Sequence, residues 1–70
     1  MSSVPKQFVL YKDDAGEFRW TLFAENSRKI ANGGEGYKNH ADCVAGIRRV
    51  VNAIPGIQIN DKVRGEWYQA

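Results

Sequence analysis

His40, Asp42 and Cys43 form the densest grouping of potential nucleophilic and proton-transfer groups in the chain, and they are the first candidates for chemistry. A Cys-His pair can supply a thiolate and a base, but it needs a third orienting group and a depressed thiol pKa. His40 and Cys43 are an ordinary i, i+3 pair, and no feature of the sequence demands an activated thiol. Cys43 reads as a small buried or half-buried residue and His40 as a solvated first-turn residue. Since these are the only Cys and His, one chain cannot assemble a structural zinc site of four Cys/His ligands. Asp13 and Asp14 are adjacent carboxylates in a turn, where Asp is favoured for local hydrogen bonding, and no converging element completes an acid-base pair. The sequence therefore predicts no catalytic residue, metal or cofactor.

Arg19 lies between Phe18 and Trp20 in a strand, on the face away from Trp20, so its guanidinium could pair with a carboxylate or stack on Tyr11. A structural cross-strand role is the favoured reading. Gly33-Gly34-Glu35-Gly36 before a helix suggests a phosphate cradle, but Glu35 opposes an anion and no Lys-Ser/Thr pair follows. It reads as a flexible connection, with Tyr37 packing at the helix entry and a binding role secondary. Arg48 and Arg49, with Lys38, Lys62 and Arg64, could build a basic surface on which Trp67 or Tyr68 offers stacking faces to single-stranded nucleic acid. Eight acidic residues and a net charge of +2 favour a solvated helix face instead. Arg19, Tyr37, Arg48 and Arg49 are the candidate contacts for a ligand or partner.

These groups must be positioned by a chain of 70 residues, one domain near the lower size limit for independent folding. Small scaffolds add disulfides, a metal, a partner subunit or unusually good packing. A single cysteine and the missing zinc set leave a second subunit as the expected stabiliser. A pI near 8.9 is only mildly basic. With no run of about 18 apolar residues and no apolar core in Met-Ser-Ser-Val-Pro-Lys, the expectation is a soluble, unexported, cytoplasmic chain. The lone thiol fits a reducing compartment.

Residues 7–12, QFVLYK, and 17–24 flank Asp13-Asp14-Ala15-Gly16, a hairpin signal with Gly16 available for positive φ. A third strand around Lys29, Ile30 and Ala31 completes an antiparallel meander. Ala41, Val44, Ile47, Val51 and Ile54 recur at three and four, which predicts one apolar face of a helix over 39–54, with Asn39 as N-cap and Pro55-Gly56 as stop. Residues 57–60 and 66–69 read as two further strands around a turn at 61–65. The order is βββαββ, an α+β domain over 7–70 preceded by a flexible arm over 1–6.

One helix of this length covers only one face of the sheet. Val9, Tyr11 and Phe23 have the parity opposite to Phe8, Leu10, Trp20 and Leu22, so apolar mass lies on both sides of the first hairpin. Exposed apolar patches of several hundred Å² mark interfaces. A homodimer follows, with Trp67 and Tyr68 placed on a terminal strand that can reach a neighbour. The alternative is a monomer whose last strand returns to its own sheet.

"YKDDAGEFRWTLFAEN", the "KIA" after it and "GEGYKNHADCVAGIRRV" resemble the repeat unit of the YegP-like family of small domains of uncharacterised function. The likeness covers about residues 7–61 and includes Gly46, Ile47 and Val50 of a Gly-Ile-x-x-Val helix motif. The resemblance implies a β3-α-β2 antiparallel sheet with one helix on one face. It occurs as a tandem repeat or as a homodimer with exchanged C-terminal strands. One unit here implies the dimer, with Val9, Tyr11, Phe23, Ile57, Ile59, Trp67 and Tyr68 as its expected interface. Ser27 stands where the family places Gly, and Gly33 where it places Ser. The family carries no activity to transfer, which leaves an unidentified protein or small ligand as further partner and nucleic acid as the second reading.

Overall fold

Asp13 decides where the chain first reverses. Its Oδ1 accepts from the backbone N–H of Ala15 and Glu17, at 3.0 and 2.9 Å, and Gly16 takes a φ of 81° that a Cβ would strain. In the computed structural model, which describes residues 4–70, this turn joins β1 (Gln7–Lys12) to β2 (Phe18–Phe23). Phe8 pairs with Leu22, Leu10 with Trp20 and Tyr11 with Arg19. Directly opposed residues share a face, so Phe8, Leu10, Trp20 and Leu22 lie on one side and Val9, Tyr11, Arg19 and Thr21 on the other.

The next turn, Glu25–Ser27, puts two non-glycine residues in the left-handed region, Asn26 at φ 63° and Ser27 at φ 66°. Asn tolerates this conformation; Ser27 bears it where the resembled family has Gly. The Asn26 N–H donates to the Val4 carbonyl at 2.8 Å, which ties down part of the expected arm; its residues 1–3 lie outside the described residues. β3 (Lys29–Asn32) then adds to β2 across a register shift at Leu22/Phe23, giving the order β1-β2-β3.

The helix α1 (His40–Ala53) crosses the Trp20 side of this sheet. Its first residue, His40, meets the Phe18 ring edge to face at 5.7 Å. Asn39 occupies the N-cap position with extended backbone but makes no side-chain cap; its amide donates to Asp42 Oδ2 at 3.1 Å instead. The buried face also differs from the predicted one. Cys43 and Gly46 are buried and Val44, Ile47 and Val50 half-buried, whereas Ala41, Val51 and Ile54 are exposed. The buried stripe stops early: Val51 and Ile54 share the heading of Cys43, Val44 and Ile47 but lie on the last turn, where the chain is exposed, and the close packing is at Cys43, fully covered, and Gly46, against Tyr37. Among the described residues, Trp20 and Cys43 are the only buried apolar side chains. At about 1.5–3 kcal/mol for a fully buried large apolar side chain, so thin a core leaves little margin. Among the described residues no helix is long and apolar enough to cross a membrane.

Ile54-Pro55-Gly56-Ile57 then turns the chain out, Gly56 at φ 78° and the Ile57 N–H donating to the Ile54 carbonyl at 3.1 Å. β4 (Gln58–Asp61) and β5 (Glu66–Gln69) pair only with each other, as a two-stranded sheet separate from the first. Every residue from 51 to 70 is exposed except Asp61, which is half-buried. The radius of gyration is 14.7 Å, against about 11 Å for a compact chain of this length. The hairpin projects from the body, and its own chain supplies no core for it.

Candidate functional site

The two hairpins are closed by the same device, an aspartate at the first turn position whose carboxylate collects local donors. In the first, Asp13 Oδ2 accepts from Arg19 Nε. The guanidinium, with the turn amides of Glu17 and Ala15, holds the Asp13 carboxyl below the usual carboxylate range, and the bond to Asp13 raises Arg19 in turn. Arg19 is thus committed to a structural pair, directly opposite Tyr11 on the helix-free face.

In the second, Asp61 Oδ1 accepts from the N–H of Val63 and Arg64, both at 3.0 Å, and Oδ2 from the Tyr68 hydroxyl at 2.8 Å. That hydroxyl is the largest cause lowering the Asp61 pKa, and the carboxylate raises Tyr68. Sequence reading placed Asp61 at this turn but missed its bond to Tyr68; an Asp opening a turn that ends on Gly65 was the available signal.

The glycine-rich segment is tethered at both ends rather than loose. Gly33 N–H donates to the Trp20 carbonyl at 3.2 Å, and the backbones of Tyr37 and Phe18 exchange two hydrogen bonds of 2.8 and 2.7 Å. Tyr37, half-buried, is directed onto the helix at Gly46, where a Cβ would stand 2.5 Å from Tyr37 Oη. Burial pushes the Cys43 thiol up, which opposes thiolate formation. No pocket opens, and no group of three or more His, Cys, Asp and Glu side chains could hold a metal, among the described residues.

What the structure does bring together is apolar surface. Register sorts the second hairpin: Ile59 opposes Tyr68 and Asp61 opposes Glu66, so Ile57, Ile59, Tyr68, Asp61 and Glu66 share one face. Trp67 opposes Asn60 and lies on the other face, with Gln58 and Gln69. Ile57, Ile59 and Tyr68 are 45%, 41% and 41% exposed, and Trp67 66%. On the body, Val9 and Phe23 are half-buried and Tyr11 exposed on the helix-free face. Arg48 and Arg49 are exposed and form no ion pair among the described residues. Val51 and Ile54, expected in the core, join this exposed apolar set.

Comparison with known proteins gives relatives but no activity. The chain is 42% identical over 48 residues to the UPF0339 protein in the ptx operon 5' region of Stutzerimonas stutzeri, a match spanning 69% of this chain and 42% of that relative. It is 36% identical over 53 residues to a UPF0339 protein of Methanosarcina acetivorans, covering 76% of this chain and 90% of the relative. The UPF0339 protein NMB1088 of Neisseria meningitidis serogroup B is 50% identical over 36 residues, covering 51% and 62%. The chain thus spans less than half of the Stutzerimonas relative. No solved structure matches. The model of a domain of unknown function, DUF1508, matches residues 13–61, where the first turn, β2, the Glu-Gly-Tyr segment and the helix motif lie, so the chain belongs to the DUF1508 family, the YegP-like family its motifs resemble.

Proposed function

We propose that this chain is a non-catalytic, self-assembling interaction module of the cytoplasm, a homodimer in which each copy lends its β4-β5 hairpin to the other. The observation that carries this reading is the hairpin itself, which is ordered by Asp61 yet presents Ile57, Ile59 and Tyr68 to solvent away from its own core. Exchange of a terminal element is a low-cost route to a symmetric dimer, and short junctions such as Pro55-Gly56 invite it. The thin core supports the same reading, since a small scaffold without disulfide or metal gains most from a partner. Val9, Tyr11 and Phe23 supply further apolar surface for the assembly. Light scattering behind a sizing column tests it: twice the 7.9 kDa chain mass is expected, and single-chain mass at micromolar concentration rejects it.

A second reading, weak nucleic-acid binding, draws on the exposed Arg48 and Arg49 together with Trp67 at 66% exposure. Titration of labelled RNA and DNA at two salt concentrations separates the two, because phosphate contacts weaken steeply with salt. Absence of binding at low salt removes the second reading.

A further inference from the structure

Asn32 and Gly33 join the end of β3 to the glycine-rich segment, and of the five asparagines in the chain Asn32 alone is followed by glycine. Asparagine is chemically labile because the next backbone nitrogen can attack its side-chain carbonyl carbon, and glycine, without a Cβ, shields that nitrogen least. The fold insists on glycine here: a Cβ on residue 33 would stand 2.6 Å from Trp20 Nε1 and 2.7 Å from its Cε2. Trp20 is one of the two buried apolar side chains among the described residues. Its packing thus places beside Asn32 the neighbour that leaves it most reactive. Asn32 itself is exposed to water.

Two features of the folded chain hold the reaction back. Asn32 is a strand residue paired with Thr21, and ring closure requires its ψ to leave the extended range. The attacking nitrogen is also occupied, since Gly33 N–H donates to the Trp20 carbonyl at 3.2 Å. Both are released together when the end of β3 opens, and β3 lies at the edge of its sheet with all four residues exposed. We propose that Asn32-Gly33 is a self-modifying site, which water converts mainly to isoaspartate at a rate set by the opening of β3 and whose product withdraws Gly33 from Trp20. The Gly33 nitrogen, deprotonated by solvent base, bonds to Asn32 Cγ; the bond from Cγ to Nδ2 breaks, and ammonia leaves with a proton taken from water. The cyclic imide then takes up one water. Opening at the main-chain carbonyl leaves isoaspartate, opening at Cγ leaves aspartate, and either lowers the net charge of +2 by one. In isoaspartate the chain runs through Cβ and Cγ, which adds an atom between the Thr21 pairing and the Trp20 bond. Gly33 then loses either that hydrogen bond or its place on the indole.

Ageing the full chain in warm, mildly alkaline buffer, folded and in guanidinium, tests the site, with peptide mapping by mass spectrometry to score each asparagine and methylation by an isoaspartate-specific methyltransferase to score the product. Asn32 should convert ahead of Asn26, Asn39, Asn52 and Asn60, and about tenfold or more faster unfolded than folded. Asn32→Gln, which keeps the amide but disfavours the small ring, should gain no isoaspartate at residue 32. Asn32→Asp carries the new charge without the inserted atom, so it should melt near the parent, whereas the isolated isoaspartate form should melt several degrees lower. Conversion at Asn32 no faster than at the other four in guanidinium overturns the site. Equal rates folded and unfolded overturn the control by β3, and an isoaspartate form that melts with Asn32→Asp overturns the link to Trp20.

Discussion

Gly46 of α1 lies against the ring of Tyr37 so closely that an added Cβ would stand 2.5 Å from Oη and 2.9 Å from Cζ. A glycine inside a helix normally costs about 1 kcal/mol relative to alanine, so Gly46→Ala would stabilise an open position. Here overpacking, at about 1–3 kcal/mol, outweighs that gain. The variant should melt several degrees lower, and Tyr37→Phe in the same chain should recover part of the loss by removing the nearest atom. Thermal denaturation followed by circular dichroism measures both; an unchanged or raised midpoint for Gly46→Ala would mean that Tyr37 yields freely.

Acid should open the second hairpin through Asp61. Its folded-state pKa is lowered, chiefly by the Tyr68 hydroxyl, so its contribution is present in full above the unfolded carboxylate value of about 3.9 and is lost as pH falls through the lower folded value. The amide resonances of Val63 and Arg64, which donate to this carboxylate, should move together in that acid range. Asp61→Ala should show the opened spectrum at neutral pH and no such titration. Persistence of the closed spectrum in Asp61→Ala counts against the carboxylate as the clasp.

Removal of residues 65–70 deletes β5 with its Tyr68 contact and, on the proposed dimer, should lower both the particle mass in solution and the melting temperature. The apolar burial of Tyr68 in an interface contributes on the order of 1–3 kcal/mol, enough to shift a marginal domain by several degrees. Scattering and calorimetry on the same sample give the two readings, and an unaltered melting temperature contradicts the prediction.

Cys43 is fully buried and its thiol pKa is raised by that burial, so both access and thiolate fraction protect it. A thiol reagent at neutral pH should label the native protein slowly and the urea-unfolded protein fast, with the rate tracking the unfolded fraction. Rapid labelling without denaturant would show that the seam between α1 and β2 opens locally.

Much of the fold was legible because its signals are local. The Asp13 to Gly16 reversal, the alternation of Phe18, Trp20 and Leu22, and the Pro55-Gly56 stop each act within a few residues, and β1, β2, β3, β4 and β5 all lie within about two residues of their expected bounds. The helix core was misjudged because periodicity gives a heading but not where cover ends: Val51 and Ile54 lie past the covered turns, while Cys43 is fully buried and Gly46 packs on Tyr37. The capping bond expected of Asn39 was lost to Asp42, an equally near acceptor. Of the candidate residues, the parity of Val9, Tyr11 and Phe23 against Trp20 could be counted from the strands. The separation of Trp67 from Tyr68 and Ile59 required the register, which depends on how many residues the Asp61 turn takes up.

The junction at Gly56 makes the last fifteen residues or so a lever. From Ile57 to Asp61 the arm is about 13 Å long, so a rotation of about 20° at one backbone torsion swings its tip through about 4–5 Å. A torsion change at Gly56 therefore reorients the whole hairpin with respect to the body. Independent copies in different lattices should superimpose well as two halves and poorly as a whole, with the pivot at Pro55-Gly56.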